Sequence, residues 1–216
     1  MIFQLDENLV FPPVHLAEED GLLALGGDLR PERLMLAYKS GIFPWYSNDT
    51  PILWYAPHER FVLSPDKVKI SKSMKQVLRS GKFKITFNKA FADVIKACSV
   101  MKRHGQDGTW ITNDMQNAYI KLHEIGYAHS VEVWQKEQLV GGLYGVLVNR
   151  VFCGESMFAK ASNASKLALI WLCENLDIDL IDCQVYTEHL ESLGAEMISN
   201  EKYCLTLNPS PKERDF

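Results

Sequence analysis

Two short runs place polar side chains where strands would bury apolar ones. Residues 152–158 read Phe-Cys-Gly-Glu-Ser-Met-Phe, and residues 180–185 read Leu-Ile-Asp-Cys-Gln-Val. Side chains alternate faces along a strand, so Leu180, Asp182 and Gln184 are expected on one face and Ile181, Cys183 and Val185 on the other. Burying a polar group without a partner costs roughly 2–7 kcal/mol. Glu155, Asp182 and Gln184 therefore either satisfy loop backbone groups or form a site. The chemistry open to two carboxyls and an amide is hydrogen bonding, cation binding and proton handling.

A second constellation is electrostatic. Between Lys67 and Lys89 stand eight basic residues and no acidic one, in a chain whose net charge is −4. Lys72, Lys75 and Arg79 fall at helical spacing and share a face, with Met74, Val77 and Leu78 opposite. Such a stripe is either a phosphate footprint or a solvated helix face.

Other patterns lead nowhere. Gly154-Glu155-Ser156-Met157-Phe158 lacks the closing glycine of a nucleophile elbow. The glycines 141, 142 and 145 lack dinucleotide-loop spacing and sit among strand residues, where a bulge or a close backbone approach is their expected role. Five scattered cysteines contain no C-x-x-C pair, which speaks against a structural zinc and suits a reducing compartment. Neither a signal segment nor an apolar run of membrane-crossing length appears, so the expectation is a soluble cytoplasmic protein.

The elements that must position these residues alternate in type. Residues 1–65 are loop-rich and aromatic and are read as a small N-terminal domain, with one helix from Pro31 to just before Gly41. Residues 66–216 form the second domain. Helices are expected at 72–80, 88–98, 113–125, 163–176 and 187–193. Strands are expected at 84–87, 129–135, 139–148, 151–158, 179–185 and 202–207, with a turn at Lys136-Glu137. An antiparallel meander followed by helix, strand, helix and strand makes an α+β fold, a mixed sheet covered by helices. It resembles the N-acetyltransferase (GNAT) superfamily. In acetyltransferases of that fold, the loop after the central strand is Gly-rich and holds a CoA pyrophosphate. Here it reads Ala159-Lys160-Ala161-Ser162-Asn163-Ala164, with no glycine, and this points to another acyl donor.

A narrower resemblance follows from ordered blocks spanning about residues 21–207. They are Gly-Leu-Leu-Ala-Leu-Gly-Gly-Asp-Leu (21–29), Gly-Ile-Phe-Pro-Trp-Tyr (41–46), Ile-Leu-Trp-Tyr-Ala-Pro (52–57), Ser-Lys-Ser-Met-Lys (71–75) and Gly-Thr-Trp-Ile-Thr (108–112), with the two runs already quoted. The chain resembles the bacterial leucyl/phenylalanyl-tRNA–protein transferases. That resemblance implies an aminoacyltransferase that takes Leu or Phe, and less readily Met, from aminoacyl-tRNA. The acceptors would be proteins with N-terminal Arg or Lys, marked in this way for N-end rule degradation. It implies no metal and no cofactor, and a monomer is expected. Carried over by position, the catalytic residues are Asp182, Gln184 and Glu155. The apolar amino-acid pocket falls on Leu143, Phe152, Met157, Leu169 and Ile181, with Leu143 where the family often has methionine. Aromatic contacts to the aminoacyl end fall on Trp45, Trp110 and Tyr119. The tRNA-facing cations fall on Lys72, Lys75, Arg79, Lys82 and Lys84.

Overall fold

Two sheets divide the chain, and a computed structural model describes residues 2–101 and 110–208. Gly108 and Thr109 of the 108–112 block lie outside the described residues. The smaller sheet takes β1 (Phe3–Leu5), β2 (Leu22–Gly26), β3 (Phe43–Pro44) and β4 (Leu53–Tyr55) in the order β1-β2-β4-β3. Helix α1 (Pro31–Lys39) lies between β2 and β3, with its proline at the first helical position as the sequence suggests.

The larger sheet has seven strands. They are β5 (Glu59–Leu63), β6 (Lys84–Phe87), β7 (Ala128–Gln135), β8 (Gln138–Val148), β9 (Val151–Ala159), β10 (Leu180–Gln184) and β11 (Glu196–Ser199), in the order β11-β5-β10-β9-β8-β7-β6. β7 through β9 form the expected antiparallel meander, and β6 pairs antiparallel with β7 at the sheet edge. Lys136 and Glu137 both adopt left-handed backbone, with φ of 48° and 63°, which fits a tight two-residue hairpin. β9 and β10 run parallel, joined through α5 (Ala164–Asn175), and they are the one parallel pair in this sheet among the described residues.

Helices cover both faces. α1, α3 (Phe91–Ser99), α4 (Asn113–Glu124) and α7 (Asn200–Leu207) bury Leu34, Ile95, Met115 and Leu207 against Val62, Val146, Cys153 and Leu180. α2 (Lys72–Arg79), α5 and α6 (Glu188–Ser192) cover the opposite face, where Met74, Leu167 and Ile170 meet Leu63, Val133, Phe152 and Ile181. This is the α+β architecture expected.

The structure departs from the sequence pattern in three places. The strand expected at 202–207 is helix α7. Ser199 caps it by accepting from the Lys202 amide, and Tyr203 and Leu207 are both buried one helical turn apart while Leu205 between them is exposed, which breaks strand alternation. The preceding β11 gives no sequence signal because it is short, edge-lying and mostly exposed. β5 lies within residues 1–65 yet pairs with β10 and β11 in the larger sheet, so the two sheets part between Tyr55 and Glu59.

Candidate active site

Glu155 owes its direction to a bulge. Tyr144 pairs with Ser156 and Gly145 with Gly154, which leaves Glu155 as the extra residue in β9. The bulge resets the alternation. Phe152 and Met157, five residues apart, both pack on the α5 face, while Cys153 and Phe158 both pack on the α3 face. Gly145 opposes the bulge, and a Cβ there would stand 2.3 Å from the Cys153 carbonyl oxygen. The expected close approach is therefore real.

β10 carries a second irregularity. Asp182 pairs with Val62 and Gln184 with Phe61, so Cys183 is bulged out, and Gln184 takes φ of 61°. Simple alternation of 180, 182 and 184 is thus overridden at Cys183. A non-glycine residue in left-handed backbone needs support from its surroundings. Asp182 supplies it, because its Oδ1 accepts the Gln184 amide N–H at 3.0 Å.

Parallel register brings the two runs together. Asp182 lies opposite Cys153, so the end of β10 reaches Glu155, while β9 runs on to Ala159 after β10 has stopped. Gln184 Nε2 donates to Glu155 Oε1 at 2.7 Å. Tyr38 Oη of α1 donates to the same oxygen at 2.7 Å, and Tyr119 Oη of α4 donates to Oε2 at 3.0 Å. The two tyrosine hydroxyls also lie in contact, and since each carries a single proton, a bond between them would replace one of the bonds to Glu155. Burial pushes the Glu155 pKa up to about 7 against the pull of these three donors. Burial and the Glu155 charge hold both tyrosines well above the usual phenol range, so they remain donors.

The gap beyond β10 is a cavity of about 610 Å³. Glu155 and Gln184 line it, as do Trp45, Trp110, Leu143, Phe152, Met157, Leu169 and Ile181. Nine of the eleven catalytic and pocket residues expected from sequence therefore share one cavity. Asp182 and Tyr119 do not line it. Asp182 is fully buried, paired with Arg60 of β5 and bonded by Tyr203 Oη of α7 at 3.0 Å. Tyr119 is sealed behind Glu155, so its hydroxyl meets the carboxylate rather than the cavity. Lys72, Lys75, Arg79, Lys82 and Lys84 are all exposed and make no ion pair among the described residues. They lie on α2, in the loop after it (Lys82) and at the start of β6 (Lys84), away from the cavity lining.

Sequence reasoning missed Tyr38, Arg60 and Tyr203. Arg60 follows His58 and Glu59 at the start of its strand, so in sequence it reads as an ordinary charged edge before Phe61-Val62-Leu63. Tyr38 sits one helical turn after Leu34 and reads as ordinary core, so its hydroxyl gave no signal. His189 of α6 also lines the cavity, and burial, then Lys166, lowers its pKa and keeps it neutral at pH 7. Cys183 lines the cavity too, but burial pushes its thiol far up and leaves it unsuited to nucleophilic attack. Among the described residues, no cluster of three or more His, Cys, Asp or Glu could hold a metal ion. No helix among them is long and apolar enough to cross a membrane.

An α+β fold with an apolar cavity beside a hydrogen-bonded Glu–Gln pair is the class that fold and site define. Residues 62–208 match the family described as leucyl/phenylalanyl-tRNA protein transferase, and residues 27–58 match that family's N-terminal domain. The leucyl/phenylalanyl-tRNA–protein transferase of Flavobacterium johnsoniae is 57% identical over 209 residues, covering 95% of this chain and 99% of its own. That of Syntrophobacter fumaroxidans is 56% identical over 209 residues, covering 95% and 89%. Among solved structures, a GCN5-related N-acetyltransferase from Kribbella flavida shares 8% identity at a TM-score of 0.36, covering 77% of this chain and 60% of its own. The chain belongs to the leucyl/phenylalanyl-tRNA–protein transferase family and is an aminoacyltransferase.

Proposed function

We propose that the protein moves Leu or Phe, and less readily Met, from aminoacyl-tRNA to the N-terminal Arg or Lys of acceptor proteins, marking them for degradation, and that it does so as a cytoplasmic monomer. One observation carries the site assignment: the Gln184–Glu155 bond at the wall of an apolar cavity. Leu143, Phe152, Met157, Leu169 and Ile181 offer a side-chain pocket without charge. One methylene in such a pocket is worth only about 1–3 kcal/mol, so overlap between Leu, Phe and Met follows.

The chemistry needs little activation. The donor is an ester. The acceptor α-amine titrates at about 7.7–8, so a usable fraction is free base at pH 7. The amine nitrogen attacks the ester carbonyl, the bond to the ribose oxygen breaks, and one proton passes from nitrogen to that oxygen. Because Gln184 Nε2 is committed to Glu155, its carbonyl oxygen is the atom left to accept from the amine. Asp182 holds the Gln184 backbone. Glu155, with its pKa about 7, is matched to carry the proton or to meet the cationic intermediate. Alignment of the two substrates supplies the larger share of the rate, up to roughly 7–11 kcal/mol. Trp45 and Trp110 offer ring faces to the terminal nucleoside, and Tyr119 positions Glu155 from behind. Lys72, Lys75, Arg79, Lys82 and Lys84 face the acceptor stem.

Labelled Leu-tRNA, a peptide beginning with Arg and a control beginning with Gly test the reading. Transfer to the Arg peptide alone is the expected result. Equal labelling of both peptides removes the acceptor assignment, and saturable acetyl-CoA binding in its place removes the donor.

A further inference from the structure

We infer that Arg60 is a positioning residue that ties the Gln184 amide to the cavity wall bearing Trp45, so that one guanidinium sets both donor binding and turnover; this rests on the transfer reading above. Arg60 is buried at the centre of the network. Its Nη2 bonds Asp182 Oδ2, and the other oxygen of that carboxylate holds the Gln184 amide. Its Nη1 donates at 2.8 Å to the carbonyl of Gly41. Gly41 begins the segment whose Phe43, Pro44 and Trp45 line the cavity. The guanidinium carbon also lies 5.0 Å from the Phe43 ring centroid and 4.4 Å from that of Tyr203. Gly41 is held at φ of 75°, and a Cβ there would come within 3.3 Å of the Tyr203 ring. The wall, the arginine and α7 are thus packed as one unit.

Stability alone is a poor reason for this arrangement. A buried ion pair often does no better than apolar residues of the same volume. Arg60 Nε, moreover, has no partner among the described residues. What the pair does supply is geometry. A planar fork reaches two acceptors in fixed directions, while a lysine ammonium offers a single point charge.

Arg60→Lys keeps a cation for Asp182 and gives up Gly41. It is expected to raise the KM for Leu-tRNA about tenfold while kcat stays within about threefold. Asp182→Asn is expected to do the reverse, lowering kcat at least tenfold with little change in KM. In the double variant Arg60→Met/Asp182→Asn, kcat should be no lower than in Asp182→Asn alone, because the turnover arm of Arg60 runs through Asp182. Thermal melts of each variant verify folding. If Arg60→Lys leaves both constants unchanged, or if the double variant loses kcat multiplicatively, the inference is overturned. The unmodified enzyme is the control. Failure of that enzyme to label an Arg peptide sinks the transfer reading itself, whereas normal wild-type transfer without the KM and kcat split sinks only this one.

Discussion

Gln184 donates to Glu155 across the gap where β10 stops and β9 runs on, at 2.7 Å. Neither residue would be found there in regular strands. Glu155 is the extra residue of one bulge, and Gln184 follows another in left-handed backbone. The contact therefore depends on two local irregularities, each held by a named neighbour. Gly145 leaves room for the first, and Asp182 fixes the second.

Glu155→Gln should stabilise the fold and cripple the reaction. Burial raises the Glu155 pKa from 4.5 to about 7. Between those values the folded state binds more protons than the unfolded state, so stability falls as pH rises, by about 3 kcal/mol once pH exceeds 7. Removing the charge removes that loss. The melting temperature of Glu155→Gln should exceed that of the unmodified protein at pH 8 and gain little at pH 4, while kcat falls at least tenfold. Melting curves at the two pH values decide it; equal gains at both would place the burden elsewhere.

Gln184→Glu sets a second carboxyl beside Glu155. Two carboxylates at hydrogen-bond distance resist joint ionisation and share a proton. We expect kcat to drop at least tenfold at pH 8, with partial recovery toward pH 6 as the shared proton restores one hydrogen bond. A pH–rate profile checks the direction. A rate that climbs steeply with pH in this variant would instead make residue 184 the base.

Leu143→Met probes specificity. Leu143 is buried, lines the cavity and pairs with Met157 across β8 and β9. A longer, more flexible side chain should redistribute pocket volume and shift the Phe-to-Leu transfer ratio by about 2- to 10-fold, with the fold unchanged. Competition between Phe-tRNA and Leu-tRNA measures it, and an unaltered ratio counts against a pocket role.

Replacing Lys72, Lys75 and Arg79 together with Gln should weaken aminoacyl-tRNA binding and leave acceptor KM alone. If all three contact phosphates, the slope of log affinity against log salt should flatten by about 2 to 3. These side chains stand on the exposed face of α2, with Met74 buried beneath, so the helix itself should persist. An unchanged salt slope would return the stripe to plain solvation.

The sequence by itself determined the meander, the βαβ unit and the identity of the polar trio. The alternating run at 129–135 and the apolar run at 139–148 become β7 and β8, and the apolar helical run at 163–176 becomes α5. These are local signals, set by side chains a few positions apart. The segment 200–207 folds as a helix rather than the expected strand because Tyr203 and Leu207 pack on the larger sheet, a match visible only once that sheet is in place. What tertiary structure alone decided is the partnership. Glu155 draws its donors from residues 38, 119 and 184, and Asp182 draws its own from 60 and 203. No sequence window spans such distances. A buried carboxyl announces that it needs partners, but strand register and bulge position choose them.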